Sequence, residues 1–83
     1  MIIQYVRKEN REPYAVVVAT DRNEIGVAQC NPKDKFVKSL GCRIAAERAK
    51  ANLSWEDTVT RNNFDEVQRI VELVTQRSKR YYQ

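Results

Sequence analysis

The stretch PYAVVVATDRNEIGVAQC, residues 13–30, decides the fold. Its first eight residues form an apolar, β-branched run led by a proline, which favours a strand over a helix. Thr20-Asp21-Arg22-Asn23-Glu24 supplies turn chemistry, because Asp and Asn side chains bond locally to the backbone. IGVAQC then reads as a second strand, in which Gly26 marks a bulge or a close approach of backbone. Working back towards the N-terminus, MIIQYVR (1–7) is a third strand, rich in Ile, Tyr and Val, and KENRE (8–12) is the polar hairpin loop that joins it. Three antiparallel strands in a meander are the economical arrangement.

Beyond Cys30 the periodicity changes from strand to helix. Asn31 is placed to cap the backbone while Pro32 takes the first helical position, and Asp34 is a rival cap. Either start predicts a helix from about Lys35 to Asn52. On a wheel of 100° per residue, Phe36, Leu40, Ala51, Ile44 and Val37 share one arc that continues through Gly41 and Ala45 to Ala49. That arc is expected to lie on the sheet, with the small residues at every fourth position forming an edge suited to close approach. Arg48 falls inside the arc. A guanidinium among apolar neighbours requires a carboxylate, a carbonyl or a ligand, since an unpaired buried charge costs several kcal/mol.

LSWED suggests an N-cap at Ser54 and a short helical segment around Trp55 to Arg61, and Asn63 with Glu66 repeats the device. From Phe64 onwards, Phe64, Val67, Val71, Val74 and Tyr81 keep a three-four spacing broken only by Ser78, with Ile70 and Leu73 widening the stripe. The expected fold is therefore α+β: a three-stranded antiparallel meander, a long helix packed on the sheet and a C-terminal amphipathic helix, in a single domain over residues 1–83. So wide a stripe on so small a domain also suits pairing with another chain, and a homo-oligomer is expected.

Composition narrows the chemistry. The chain has no histidine, which removes the commonest general base and every Ser/His or Cys/His relay. Cys30 and Cys42 are two isolated cysteines, too few for a Cys/His zinc site, and read as reduced thiols. No catalytic residue, metal or cofactor is expected. No apolar run approaches the ~20 residues that span a bilayer, so the chain reads as soluble and cytoplasmic, with no membrane partner. The formal charge of +4 resides in residues 33–50, where six basic residues (Lys33, Lys35, Lys38, Arg43, Arg48, Lys50) outnumber Asp34 and Glu47; the remainder balances nine against nine. Such a segment suits an anionic partner, or forms a solvated helix face. A phosphate would fit the predicted helix start, where free backbone N–H groups stand beside Lys33 and Lys35. The tail RSKRYYQ adds basic and aromatic residues of the kind that contact nucleic acid.

The stretch GVAQCNPKDKFVKSLGCRIAAERA, residues 26–49, resembles a pattern in small bacteriophage proteins: a strand with Gly and small residues, Cys-Asn/Ser-Pro-Lys-Asp-x-Phe, then a Lys, a Gly, Ile-Ala and Arg-Ala. It is similar to the Thoeris anti-defence family, whose members bind and sequester cyclic ADP-ribose-type signalling nucleotides, oligomerise, and block immune signalling without degrading the messenger. The resemblance spans 24 of the 83 residues. It implies a phage-encoded sponge acting in the host bacterial cytoplasm, with Asn31 and Arg48 as pocket residues; Asn52 stands where a further arginine is expected. The resulting ligand-binding set is Asn31, Lys33, Lys35, Arg43, Arg48 and Asn52, for an anionic nucleotide small molecule of the cyclic ADP-ribose or cyclic oligonucleotide type. The alternatives are a small nucleic-acid-binding module and a protein-protein inhibitor of a host defence complex.

Overall fold

The apolar run of residues 13–20 becomes the middle strand because both of its faces are covered. In a computed structural model, which describes residues 1–30 and 33–83, β1 (Ile2–Arg7), β2 (Pro13–Asp21) and β3 (Glu24–Gln29) form one antiparallel sheet in the order β1-β2-β3. They are followed by α1 (Lys38–Lys50), two 3-10 turns (Trp55–Thr58 and Arg61–Asn63) and α2 (Phe64–Tyr81). This is the expected α+β meander with helices on the sheet, and the helices take opposite faces. Val16 and Val18 pack with Ala28 and Ala45 beneath α1, whereas Ala15, Val17 and Ala19 pack with Val67, Val71 and Val74 beneath α2. A strand buried on both faces reads as a continuous apolar run rather than an alternating one.

The way α1 sits corrects two expectations. First, it begins at Lys38, with Val37 at the N-cap and no side-chain cap, rather than near Lys35; the expected Asn31-Pro32 helix start lies outside the described residues. Residues 33–36 instead form an irregular linker ahead of the helix. Phe36 turns back over the helix, where a Cβ on Gly41 would sit 2.8 Å from its Cζ. Its ring meets Tyr5 edge-on, with centroids 6.2 Å apart.

Second, α1 is rotated about its axis. Only the small edge of the arc, Gly41, Ala45 and Ala49, is buried, while Val37 is 53% and Leu40 44% exposed, Ala51 is exposed and Ile44 half-buried. The cause lies in Gly26. A Cβ at that position would come within 1.9 Å of Ala45 O and 2.6 Å of Ala49 N, so strand and helix backbones approach as closely as only glycine permits. α1 ends in paired bonds from Asn52 N–H to Ala49 O (3.1 Å) and from Leu53 N–H to Arg48 O (3.2 Å), with Asn52 at φ 56°. This is the left-handed C-terminal cap that asparagine tolerates better than other non-glycine residues.

The segment after α1 is two 3-10 turns rather than one helical stretch over 55–61, and the Ser54 hydroxyl bonds the Glu56 carboxylate instead of capping. That bond holds the Glu56 carboxyl below its usual range. Trp55 stacks on Phe64 with centroids 5.1 Å apart, which ties this segment to the start of α2. In α2 the buried stripe is Val67, Val71, Val74 and Ser78, so Ser78 belongs to it and Tyr81, 67% exposed, does not. The Ser78 hydroxyl donates to Thr75 O (2.7 Å) and accepts from Asn23 N–H (3.2 Å), fastening the β2–β3 turn to the helix. No helix among the described residues is long and apolar enough to cross a membrane.

Candidate functional site

A cavity of about 580 Å³ opens at the end of the sheet where β2 begins and β3 ends. Five parts of the chain build it. The β1–β2 loop contributes Lys8 and Glu12, the start of β2 contributes Pro13 and Tyr14, the end of β3 contributes Gln29 and Cys30, and the linker contributes Lys33, Asp34, Lys35 and Phe36. Asn63, just ahead of α2, closes the wall. Three lysines against two carboxylates give the lining an excess of one positive charge, and all five charged residues are exposed.

One wall is held by a small polar network centred on Thr60. Gln29 Oε1 accepts from Thr60 N–H and Gln29 Nε2 donates to Thr60 Oγ1, both at 3.1 Å, and Asn63 Nδ2 donates to the same hydroxyl at 3.2 Å. The Cys30 thiol donates to Asp34 O at 3.2 Å. These bonds fix the β3 end, the linker and the second 3-10 turn relative to one another.

Tyr14 is 8% exposed in the cluster under α2, and no hydrogen bond of strict geometry reaches its hydroxyl among the described residues. Burial, then the charge and hydrogen bonding of the Glu66 carboxylate, pushes the phenol up to about 12, so at neutral pH the hydroxyl keeps its proton beside Glu66.

Of the expected site residues, the fold brings Lys33 and Lys35 together in this cavity. Asn31 lies outside the described residues. Because α1 starts at Lys38, Lys33 and Lys35 lie in the preceding linker and do not flank its first turn, which corrects the helix-start phosphate site. Arg43 is exposed on α1, and Asn52 forms the left-handed cap; neither lines the cavity. Arg48 is half-buried, and its Nη1 donates to Val27 O at 2.9 Å, so a backbone carbonyl of β3 answers its need for a partner. Lys8, Tyr14, Phe36 and Asn63 join the site only through the tertiary fold. Tyr14 did carry one signal, as the only polar aromatic in the otherwise aliphatic run of β2.

Among the described residues no group of three or more Cys, Asp or Glu side chains is arranged to hold a metal ion. No protein-family model, curated protein or solved structure matches the chain. The chemistry of the cavity therefore rests on its own residues: lysines for an anion, and the Tyr14 and Phe36 rings in its lining.

Proposed function

We propose that the chain is a non-catalytic binding protein that captures an anionic, nucleotide-derived signalling molecule in this cavity and holds it unaltered. The observation that carries the reading is a cavity lined by Lys8, Lys33 and Lys35 together with the Tyr14 and Phe36 rings. Lysines neutralise phosphate as point charges, and Phe36 offers a ring for a base to stack on. The resemblance of residues 26–49 to anti-defence sponges supplies the ligand class, a cyclic ADP-ribose isomer or cyclic oligonucleotide, and the setting, a phage-encoded protein in the host bacterial cytoplasm. The same reading makes the protein a homo-oligomer. Each sheet face carries a helix, so the aromatic platform that an open sheet offers to RNA bases is absent among the described residues, which favours the cavity over nucleic-acid binding.

Calorimetric titration against those two ligand classes is the test. At least one member should bind with Kd below ~10 µM, equivalent to about 7 kcal/mol, and be recovered with unchanged mass after denaturation. No binding by any member, or recovery of a modified ligand, overturns the reading. Native mass spectrometry of the same complex reports the oligomer.

Lys8→Ala with Lys35→Ala separates binding from stability. Affinity should fall about tenfold for loss of two charges that face the anion, while the ligand-free protein, in which both side chains are exposed, should change by less than about 0.5 kcal/mol. A pH dependence reports the buried Tyr14. The folded protein keeps the Tyr14 proton up to about 12, whereas an unfolded tyrosine releases it near 10. Between those values the unfolded state binds fewer protons, so stability falls as pH rises through that window. Tyr14→Phe should flatten the corresponding part of the alkaline unfolding curve.

A further inference from the structure

The two edges of the sheet are treated differently. Along β3, Arg48 occupies the Val27 carbonyl and Thr60 is bonded to the Gln29 side chain, so the 55–60 segment lies against that edge. Along β1, no strand among the described residues pairs with the outer side. β1 has no proline, its one irregularity is at its far end, between Val6 and Arg7, its own charge is confined to Arg7, and the side-chain bond to its backbone among the described residues is the long one from Gln4 Nε2 to Tyr5 O at 3.4 Å.

Beside this open edge lies a shallow groove between β1 and the end of α2, lined by Met1, Ile2, Ile3, Arg77, Arg80 and Tyr81. Met1, Ile3 and Tyr81 are 60%, 43% and 67% exposed and give the groove an apolar lining. Two arginines line the groove and no carboxylate does. The other face of β1 is basic as well: the Arg7 guanidinium and the Lys38 ammonium lie over the Tyr5 ring, 5.8 and 5.2 Å from its centroid. An added strand would therefore meet cations above and below, with apolar contacts between them. This charge pattern disfavours a second copy of the chain, because antiparallel pairing of β1 with itself would bring Arg7 of each copy towards Arg77 and Arg80 of the other.

We infer that β1 is a docking edge for an extended acidic segment of a partner protein, added as a fourth strand with its carboxylates on Arg77 and Arg80. Main-chain bonds to β1 supply the affinity, and the flanking cations supply the choice of sequence. The groove lies at the opposite end of β1 from the Lys8 side of the cavity, so the two surfaces can be occupied independently.

The test uses the whole chain and three blocked octapeptides: alternating Val and Glu, alternating Val and Lys, and the Val/Glu peptide N-methylated at every second residue. Amide hydrogen exchange of residues 2–7 is followed by NMR. The Val/Glu peptide should slow exchange at the outward-facing β1 amides more than tenfold, and the other two should not. Arg77→Glu with Arg80→Glu, both at exposed positions, should shift the preference to the Val/Lys peptide. Absence of β1 protection, equal protection by the Val/Lys or N-methylated peptide, or an unchanged preference in the double variant would overturn the inference. So would β1 protection that rises with protein concentration in the absence of peptide, which would make the occupant a second copy.

Discussion

The two helices cover one sheet by different physics. α2 lays Val67, Val71 and Val74 on the lower face, and its grip is side-chain area removed from water. α1 lays Gly41, Ala45 and Ala49 on the upper face, opposite a glycine in the strand, and its grip is the closeness of two backbones. Small residues bury little area but allow many short contacts, each weak and together substantial. The consequence is visible on the surface. α2 buries the valines of its stripe, whereas α1 leaves Val37 and Leu40 about half exposed because the tight seat at Gly26 dictates its rotation.

Gly26→Ala tests that difference most directly. One added methyl would stand 1.9 Å from Ala45 O, and the obstacle is backbone, which a rotamer change cannot relieve. The expected loss is about 3 kcal/mol, the upper end of what overpacking usually costs. Urea unfolding measures it. A loss below about 1 kcal/mol would mean that α1 has room to lift, and the contrast with α2 would fail.

The elements were more legible in the sequence than their orientations. Strand runs and the three-four spacing of α2 are properties of consecutive residues, so Val67, Val71 and Val74 are found by periodicity alone. A helical wheel, however, ranks positions by apolarity, and that ranking places Leu40, Val37 and Ala51 in the arc meant for the sheet. Close packing instead favoured the edge with the smallest side chains, and Gly26 was the clue that outweighs the larger ones. The start of α1 misled for a related reason. Asn31-Pro32 has helix-start chemistry, yet Phe36 packs over Gly41 and against Tyr5, and the described residues that follow Pro32 form linker up to Val37. For the site, Lys33 and Lys35 were visible because they stand in one basic segment. Lys8, Tyr14 and Asn63 come from distant parts of the chain, and no local pattern links them. Asn52 carries a backbone role, a φ of 56°, that a list of polar side chains does not reveal.

The second test lies on the other face. Val74 is fully buried on the sheet-facing side of α2, and Val74→Ala removes two methylene-sized groups from a packed cluster. The expected loss is about 2 kcal/mol, part transfer energy and part residual cavity. It should be smaller than that of Gly26→Ala even though more apolar volume changes. The reverse order would show that side-chain packing, not backbone proximity, dominates both faces.

The smallest expected effect sharpens the comparison furthest. Leu40 is the apolar residue that the wheel places in the buried arc of α1, yet it is 44% exposed. Leu40→Gln keeps the length of the side chain and helix propensity while removing apolar surface, so the stability of the isolated chain should change by less than about 0.5 kcal/mol. The difference between variant and parent should also be the same at low and high protein concentration. A loss above about 1.5 kcal/mol that appears only at high concentration would mean that the unused half of the α1 arc is buried against another copy, with Leu40 part of an interface rather than of the surface. In that case the small residues of α1 would hold the helix to its own sheet, and its larger ones would hold the oligomer together.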